Sequence, residues 1–308
     1  MKRLAAFPLS RRDTLRVFGA TAAGALFGAP ARSAEREPLC RAIPSSGERI
    51  PAVGLGTFST FDAGSSAAER QPVEEVLARF AERGGRVVDS SPMYGRSEAV
   101  VGEVAAKLGL AGKLFLATKV WTRGQKAGIE QMETSERLFR TKRLDLLQVH
   151  NLLDVETHLA TLRAWKEAGR VRYIGVTHYT ASAYPEVERV LRREKLDFLQ
   201  VNYSLTEREA EERILPLARE KGVAVLVNRP FGGGQALKRA LGKPLPAWAA
   251  EFDCTSWAQF FLKWILAHPA VTCVIPATSK RAHLDDDLDA GLGRLPDEKV
   301  RRRMVDAL

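Results

Sequence analysis

From Leu39 onward, short apolar runs rich in β-branched residues alternate with longer stretches whose apolar positions recur at helical spacing. Runs such as Leu144–His150, Val171–Thr177 and Val223–Asn228 are apolar almost throughout, as expected of parallel strands covered on both faces. Leu39–Ile43, the turn at Pro44–Gly47 and Arg49–Ala52 predict a small hairpin first. Strands follow at Val53–Thr57, Val87–Ser90, Leu114–Lys119, Leu144–His150, Val171–Thr177, Phe198–Asn202, Val223–Asn228 and Val271–Pro276. Helices are predicted behind them near Pro72–Arg83, Ser97–Lys107, Gly128–Phe139, Glu156–Ala168, Ala181–Glu194, Arg208–Lys221, Ser256–Ala267 and Lys280–Ala290, with Pro72 read as a helix start. Eight strand-helix units without a linker predict one domain over residues 34–308, a closed (β/α)8 TIM barrel of the α/β class with an N-terminal β-hairpin. A doubly wound open sheet would want a glycine-rich turn after its first strand. Gly54-Leu55-Gly56 lacks the third glycine and lies inside the strand.

The first 33 residues stand apart. Ser10-Arg11-Arg12-Asp13-Thr14-Leu15-Arg16 precedes a weakly apolar stretch, Val17–Ala29, too short to span a bilayer. Small residues follow at Ala29-Pro30-Ala31 and Ala31-Arg32-Ser33, at signal-peptidase spacing. The segment is similar to a twin-arginine translocation signal, with Thr14 where such signals usually carry Phe. It implies a signal peptide, an encounter with export machinery, and a periplasmic or otherwise exported protein without stable membrane insertion of the mature chain.

Charge supports that division. The chain carries a net +10, but six cations (Lys2, Arg3, Arg11, Arg12, Arg16, Arg32) against Asp13 alone lie in the leader. The remaining excess is dispersed, without the clustered stripe that tracks a phosphate backbone, so nucleic acid is not expected as a partner. The three cysteines (Cys40, Cys254, Cys273) are widely spaced, and the five histidines show no ligand spacing. Neither a disulfide framework nor a metal site is expected.

Chemistry in a (β/α)8 barrel sits at the C-terminal ends of the strands. There the sequence places Asp89, Lys119 and His150 at three successive ends, with Tyr94 in the loop after Asp89. Each alone has a structural reading as turn cap, solvated cation, packing ring or core histidine. Together they suit reversible protonation of a carbonyl or alkoxide oxygen, with Lys119 expected to lower the phenol pKa and Asp89 to hold Lys119 charged. His150 is placed to donate to the carbonyl. No side chain donates hydride, so a nicotinamide cofactor is implied.

Pro51–Thr57, Val88-Asp89-Ser90-Ser91-Pro92-Met93-Tyr94-Gly95, Leu116–Lys119, Leu144–His150, Gly169–Val176, Gln200–Ser204 and Val274–Pro276 resemble the aldo-keto reductase family in content, order and spacing. That resemblance implies a TIM-barrel oxidoreductase that reduces aldehyde or ketone groups of small molecules with NADP, NAD being the alternative. Tyr94 is then the acid/base, Asp89 and Lys119 tune it, and His150 orients the carbonyl. Thr57, Thr177, Gln200, Asn228, Arg229, Phe231, Thr278, Lys280 and Asp286 fall at cofactor-binding positions. Phe58 and Trp121 fall at substrate-binding ones.

The chain departs from the family in three places. Thr177-His178 stands where Ser-Asn is usual. Asn228-Arg229-Pro230-Phe231 lacks the expected aromatic, which Phe231 would supply from nearby. Ala277 and His283 replace the usual Lys and Arg, leaving Lys280 or Arg281 to meet a 2′-phosphate. These departures motivate an alternative, a nucleotide-binding, redox-sensing barrel with little turnover. A third reading makes Lys119 a Schiff-base lysine. The short tail after the last helix, ending at Leu308, predicts an open mouth unless the loop 59–71 closes over it.

Overall fold

The computed structural model describes residues 37–308, so the leader lies outside the described residues. Strands β1 (Cys40–Ala42) and β2 (Arg49–Pro51) form the antiparallel hairpin. Then come β3 (Leu55–Gly56), α1 (Ala67–Glu82), β4 (Val87–Asp89), α2 (Ser97–Lys107), β5 (Phe115–Val120), α3 (Gln125–Leu138), β6 (Leu144–His150), α4 (Val155–Glu167) and β7 (Val171–Thr177). The second half holds α5 (Tyr184–Arg193), β8 (Phe198–Asn202), α6 (Ile214–Glu220), β9 (Ala224–Asn228), α7 (Gln235–Ala240), α8 (Trp257–Leu266), β10 (Val271–Val274), α9 (Arg281–Asp289) and α10 (Glu298–Asp306). Among the described residues no helix is long and apolar enough to cross a membrane.

Strands β3 to β10 pair in sequence order, and every pair is parallel. The seam closes where Val53 and Gly56 bridge Val274 and Ala277, through Gly54 N–H to Val274 O and Gly56 N–H to Pro276 O, both 2.8 Å. A Cβ on Gly56 would stand 2.9 Å from the Ile275 carbonyl oxygen. These glycines therefore serve close strand approach rather than a phosphate turn.

Strand periodicity sorts the core into two layers. Val88, Leu147, Val149, Ile174, Val176, Leu199, Val225 and Val227 face the helices. Val87, Phe115, Ala117, Leu146, Tyr173, Phe198, Leu226 and Cys273 fill the barrel interior, and Ile43 and Ile50 of the hairpin join them. Phe115, Tyr173 and Phe198 pack with ring centroids 5.6 to 6.0 Å apart. The interior is thus plugged with carbon low down, which leaves the polar inward positions of the same strands at the opposite end.

Helix α1 differs from its expected start. Ser66 caps it and Glu69 reaches back, a capping box, so it begins at Ala67 and Pro72 lies inside it. Residues 229–256 are more structured than the sequence suggested, holding α7 and a 3-10 segment, Ala247–Phe252. Strand β5 runs one residue past Lys119, and the last barrel strand stops at Val274.

Candidate active site

Asp89 ends β4, His150 ends β6, Thr177 ends β7 and Asn228 ends β9, while Lys119 lies one residue before the end of β5. Each shares the inward parity of its strand, so all of them stand above the aromatic plug. Asp89 and Lys119 are buried, and Lys119 Nζ donates to Asp89 Oδ2 (2.7 Å) and to the Ser90 carbonyl (2.6 Å). The other carboxylate oxygen, Oδ1, accepts from Gln200 Nε2 (2.8 Å) and Gln148 Nε2 (3.4 Å).

A turn brings Tyr94 into this group, its N–H donating to the Ser91 carbonyl (3.0 Å) with Pro92 inside the turn. The Lys119 ammonium lies 5.1 Å from the centre of the Tyr94 ring. Phe58 meets that ring edge-on at 5.0 Å and His150 at 6.1 Å. Trp121 closes the other side, 6.4 Å from His150. Its backbone is pinned by Gln131, which accepts from Trp121 N–H (2.6 Å) and donates to its carbonyl (3.3 Å).

The electrostatics correct one expectation. Burial raises the Tyr94 phenol above its ordinary value, Lys119 opposes, and Asp89 adds to the rise, so Lys119 does not bring it below that value. The phenol is therefore held protonated at neutral pH. Burial alone would lower the Lys119 ammonium, but Asp89, with Tyr94 and Glu98, outweighs it and the pKa ends raised. His150 is pushed down to about 3, by burial first and then by the charges of Lys119 and His178, which leaves a neutral imidazole.

The residues expected to hold a cofactor divide into those facing the mouth and those engaged elsewhere. Thr57 is buried, donating to Ser90 Oγ (2.9 Å) beneath the group. Thr177 Oγ1 donates to Gln200 Oε1 (3.1 Å), and Asn228 Nδ2 lies 3.4 Å from the same oxygen and 3.1 Å from the His178 carbonyl. Asn228 Oδ1 is buried with no hydrogen-bond partner among the described residues. Arg229 is exposed, has φ +49° and pairs with Glu207 (3.3 Å).

Phe231 does not replace the missing aromatic plane. It packs edge-on against Phe261 of α8 at 6.5 Å, against the layer between strands and helices. Thr278 Oγ1 accepts the Lys280 N–H (3.0 Å), while Lys280 and Arg281 are exposed at the start of α9. Asp286 is turned toward α8, accepting from Ser256 Oγ (2.8 Å) and Gln259 Nε2 (2.7 Å).

Sequence reasoning missed Gln148, which the alternation Leu146, Gln148, His150 along β6 signals, and Ser91, whose Oγ lies 3.1 Å from His150 Nδ1. It also missed Glu98, a buried carboxyl on α2 that accepts from Thr118 Oγ1 (2.5 Å) and whose pKa burial raises. No pattern in the chain marks it.

The mouth is open. Phe61 is buried in the core and Asp62 is tied to Arg96, so the segment leading to α1 docks beside the Tyr94 turn. Phe58 (60% exposed), Met93, Trp121 (41%) and Tyr179 remain at the surface as an apolar rim. A protonated phenol and a neutral imidazole below that rim, with the buried Lys119–Asp89 ion pair beneath them, can deliver a proton to an oxygen atom.

The model of the Aldo/keto reductase family matches residues 52–304. The chain is 29% identical over 245 residues to methylglyoxal reductase YeaE of Escherichia coli (strain K12), spanning 77% of this chain and 84% of that protein. It is 25% identical over 299 residues to an NADP-dependent D-sorbitol-6-phosphate dehydrogenase of Malus domestica, spanning 83% and 90%. A crystal structure of an aldo/keto reductase from Klebsiella pneumoniae in complex with NADP and acetate superposes with a TM-score of 0.71 at 26% identity, covering 85% of this chain and 92% of that one.

Proposed function

This chain belongs to the aldo/keto reductase family, and on that premise we propose that Tyr94, Lys119, Asp89 and His150 are its catalytic group. The protein is an NADP-dependent oxidoreductase acting on small carbonyl compounds, a reading supported by its family and by a structural neighbour solved with NADP. The observation that carries the residue assignment is the fully buried Lys119 ammonium, held by Asp89 beside the Tyr94 ring at the strand ends.

The residues present fit a nicotinamide. Asn228 Oδ1 is an orphaned buried acceptor at the strand ends, and such a group calls for a donor such as a carboxamide N–H. Thr177 and Gln200 border it, Arg229 and the exposed cations Lys280 and Arg281 suit the phosphates, and Thr278 lies beside them. The bound dinucleotide supplies the hydride. Tyr94, protonated at neutral pH, gives its proton to the carbonyl oxygen as the carbon is reduced, and the product is an alcohol. Lys119 compensates the charge that develops on the phenol oxygen, and Asp89 keeps Lys119 charged. Neutral His150 donates to the substrate oxygen, and Phe58 and Trp121 wall the carbonyl's substituents.

Tryptophan quenching by NADPH and by NADH tests the cofactor, and an aldehyde and ketone screen that includes methylglyoxal tests the substrate class. Tyr94→Phe should abolish turnover and leave the NADPH Kd within about twofold, since it removes a proton donor and not a seat. Retained turnover would remove Tyr94 from the mechanism. A redox-sensing barrel would bind nucleotide and show little turnover in the wild type.

The arginine pair at Arg11-Arg12 and the small residues at 29–33 support export of the folded protein as a twin-arginine substrate, to the periplasm in a bacterium with two membranes. An exported reductase has no cytoplasmic pool to recharge it, so tight retention of nucleotide goes with this reading. Lys at both arginines should leave the protein in the cytoplasm. Denaturing the exported protein should release nucleotide absorbance.

A further inference from the structure

Ser91 occupies the first position of the turn that presents Tyr94, and its side chain is fully buried. Its Oγ has two partners among the described residues: the Met93 N–H at 3.4 Å, which can only donate, and His150 Nδ1 at 3.1 Å. A buried hydroxyl proton needs an acceptor, and His150 Nδ1 is the one that these contacts provide. With Nδ1 accepting, a neutral imidazole carries its proton on Nε2, the ring nitrogen away from Ser91. Nε2 has no hydrogen-bond partner among the described residues, so its N–H is unspent.

We propose that Ser91 is a positioning residue that fixes His150 in the Nε2–H tautomer and ties the imidazole to the turn that carries Tyr94. The inference rests on the reading of His150 as the donor to the substrate oxygen. Without Ser91 the ring can place its proton on Nδ1, and that fraction of the protein presents a lone pair to the carbonyl, which cannot polarise it. One residue thus touches both halves of the site, its hydroxyl meeting the imidazole and its backbone carbonyl accepting the Tyr94 N–H.

The experiment uses the full chain with 15N-labelled histidine, the His150 signals being assigned by their loss in His150→Asn. In the wild type at pH 7, Nε2 should show the shift of a protonated ring nitrogen and Nδ1 that of an unprotonated one. Ser91→Ala should move both toward averaged values and lower kcat/KM about tenfold, the worth of one neutral hydrogen bond. The NADPH Kd should be unchanged, and Ser91→Thr should restore tautomer and rate together. A wild-type spectrum with the proton on Nδ1 overturns the proposal without any variant. So does an Ser91→Ala protein with wild-type tautomer and wild-type rate. Tyr94→Phe, run alongside, keeps the outcomes apart: turnover persisting there defeats the catalytic reading itself, whereas its loss beside an unaffected Ser91→Ala defeats only the role of Ser91.

Discussion

Replacing Asp89 with asparagine keeps the shape of the side chain and strands the Lys119 ammonium. The pair is 2.7 Å apart with side chains 0% and 3% exposed, so water cannot substitute for the lost carboxylate. At that separation the attraction is roughly 6 kcal/mol for an effective dielectric of about 20. Breaking one side of such a buried pair typically costs about 3–5 kcal/mol. The Ser90 carbonyl still accepts from Nζ, and an asparagine oxygen still accepts from Gln200, so the low end, about 3 kcal/mol, is expected. At about 2–4 °C per kcal/mol this lowers Tm by about 6–12 °C.

Thermal melts at several pH values are the assay, and the sign of the slope is the stronger test. In the wild type the Lys119 pKa is raised above its unfolded value. The stability it contributes is therefore full below about pH 10.4 and is lost as pH rises through the folded value. In Asp89→Asn burial prevails and the folded pKa falls below the unfolded one, so stability should instead rise as pH approaches 10. The double variant Asp89→Asn, Lys119→Met removes the stranded charge and should melt above Asp89→Asn alone. An Asp89→Asn protein within about 1 kcal/mol of wild type, or a double variant that loses the sum of the singles, would refute the reasoning.

Gly102 lies in α2, where alanine usually gains about 1 kcal/mol. Here a Cβ would collide with the Leu138 carbonyl oxygen and approach Phe139 Cα to 2.9 Å, so Gly102→Ala should lose about 1–3 kcal/mol in urea melts. His150 is held near pH 3 and His268 near pH 4, against about 6.5 unfolded. The stability tied to both is whole above pH 6.5 and drains as pH falls, with about 2 kcal/mol from His150 gone by pH 5 and much of that slope absent in His150→Asn melts. Gln131→Ala frees the Trp121 backbone; KM for a carbonyl substrate should rise several-fold with NADPH affinity unchanged in steady-state and binding assays.

The barrel was legible because parallel strands buried on both faces read as apolar runs, and Ser97–Lys107, Leu144–His150, Val171–Thr177 and Phe198–Asn202 coincide with their elements. The start of α1 is encoded by the capping box Ser66-Ala67-Ala68-Glu69, while Pro72, a residue type that favours the first helical turn, lies further inside the helix. The segment 229–256 was not, since Gly232-Gly233-Gly234 reads as loop while α7 begins directly behind it. Strand-end positions brought Asp89, Lys119 and His150 together on paper because parity and strand length are sequence properties. The direction of Phe231 and the partners of Asp286 are tertiary facts, set by the packing of α8, and no local pattern encodes them.

The polar residues at the mouth are less independent than their separate strands imply. Asn228 reaches Gln200, Gln200 donates to Asp89, and Asp89 accepts from Lys119, so residues named for the cofactor and residues named for proton transfer lie on one run of hydrogen bonds. Gln200 has its oxygen shared by Thr177 and Asn228 and one of its two N–H groups donated to Asp89. It therefore holds the carboxylate that holds Lys119 while it borders the seat beside it. Deleting its amide should disturb Asp89 more than a list of cofactor contacts suggests, and changes at Gln200 and Asp89 should be non-additive because they remove the same bond. A site assembled from one inward position on each of several strands couples its members in this way, since inward side chains meet across the barrel interior, as Gln200 of β8 meets Asp89 of β4, as well as between adjacent strands.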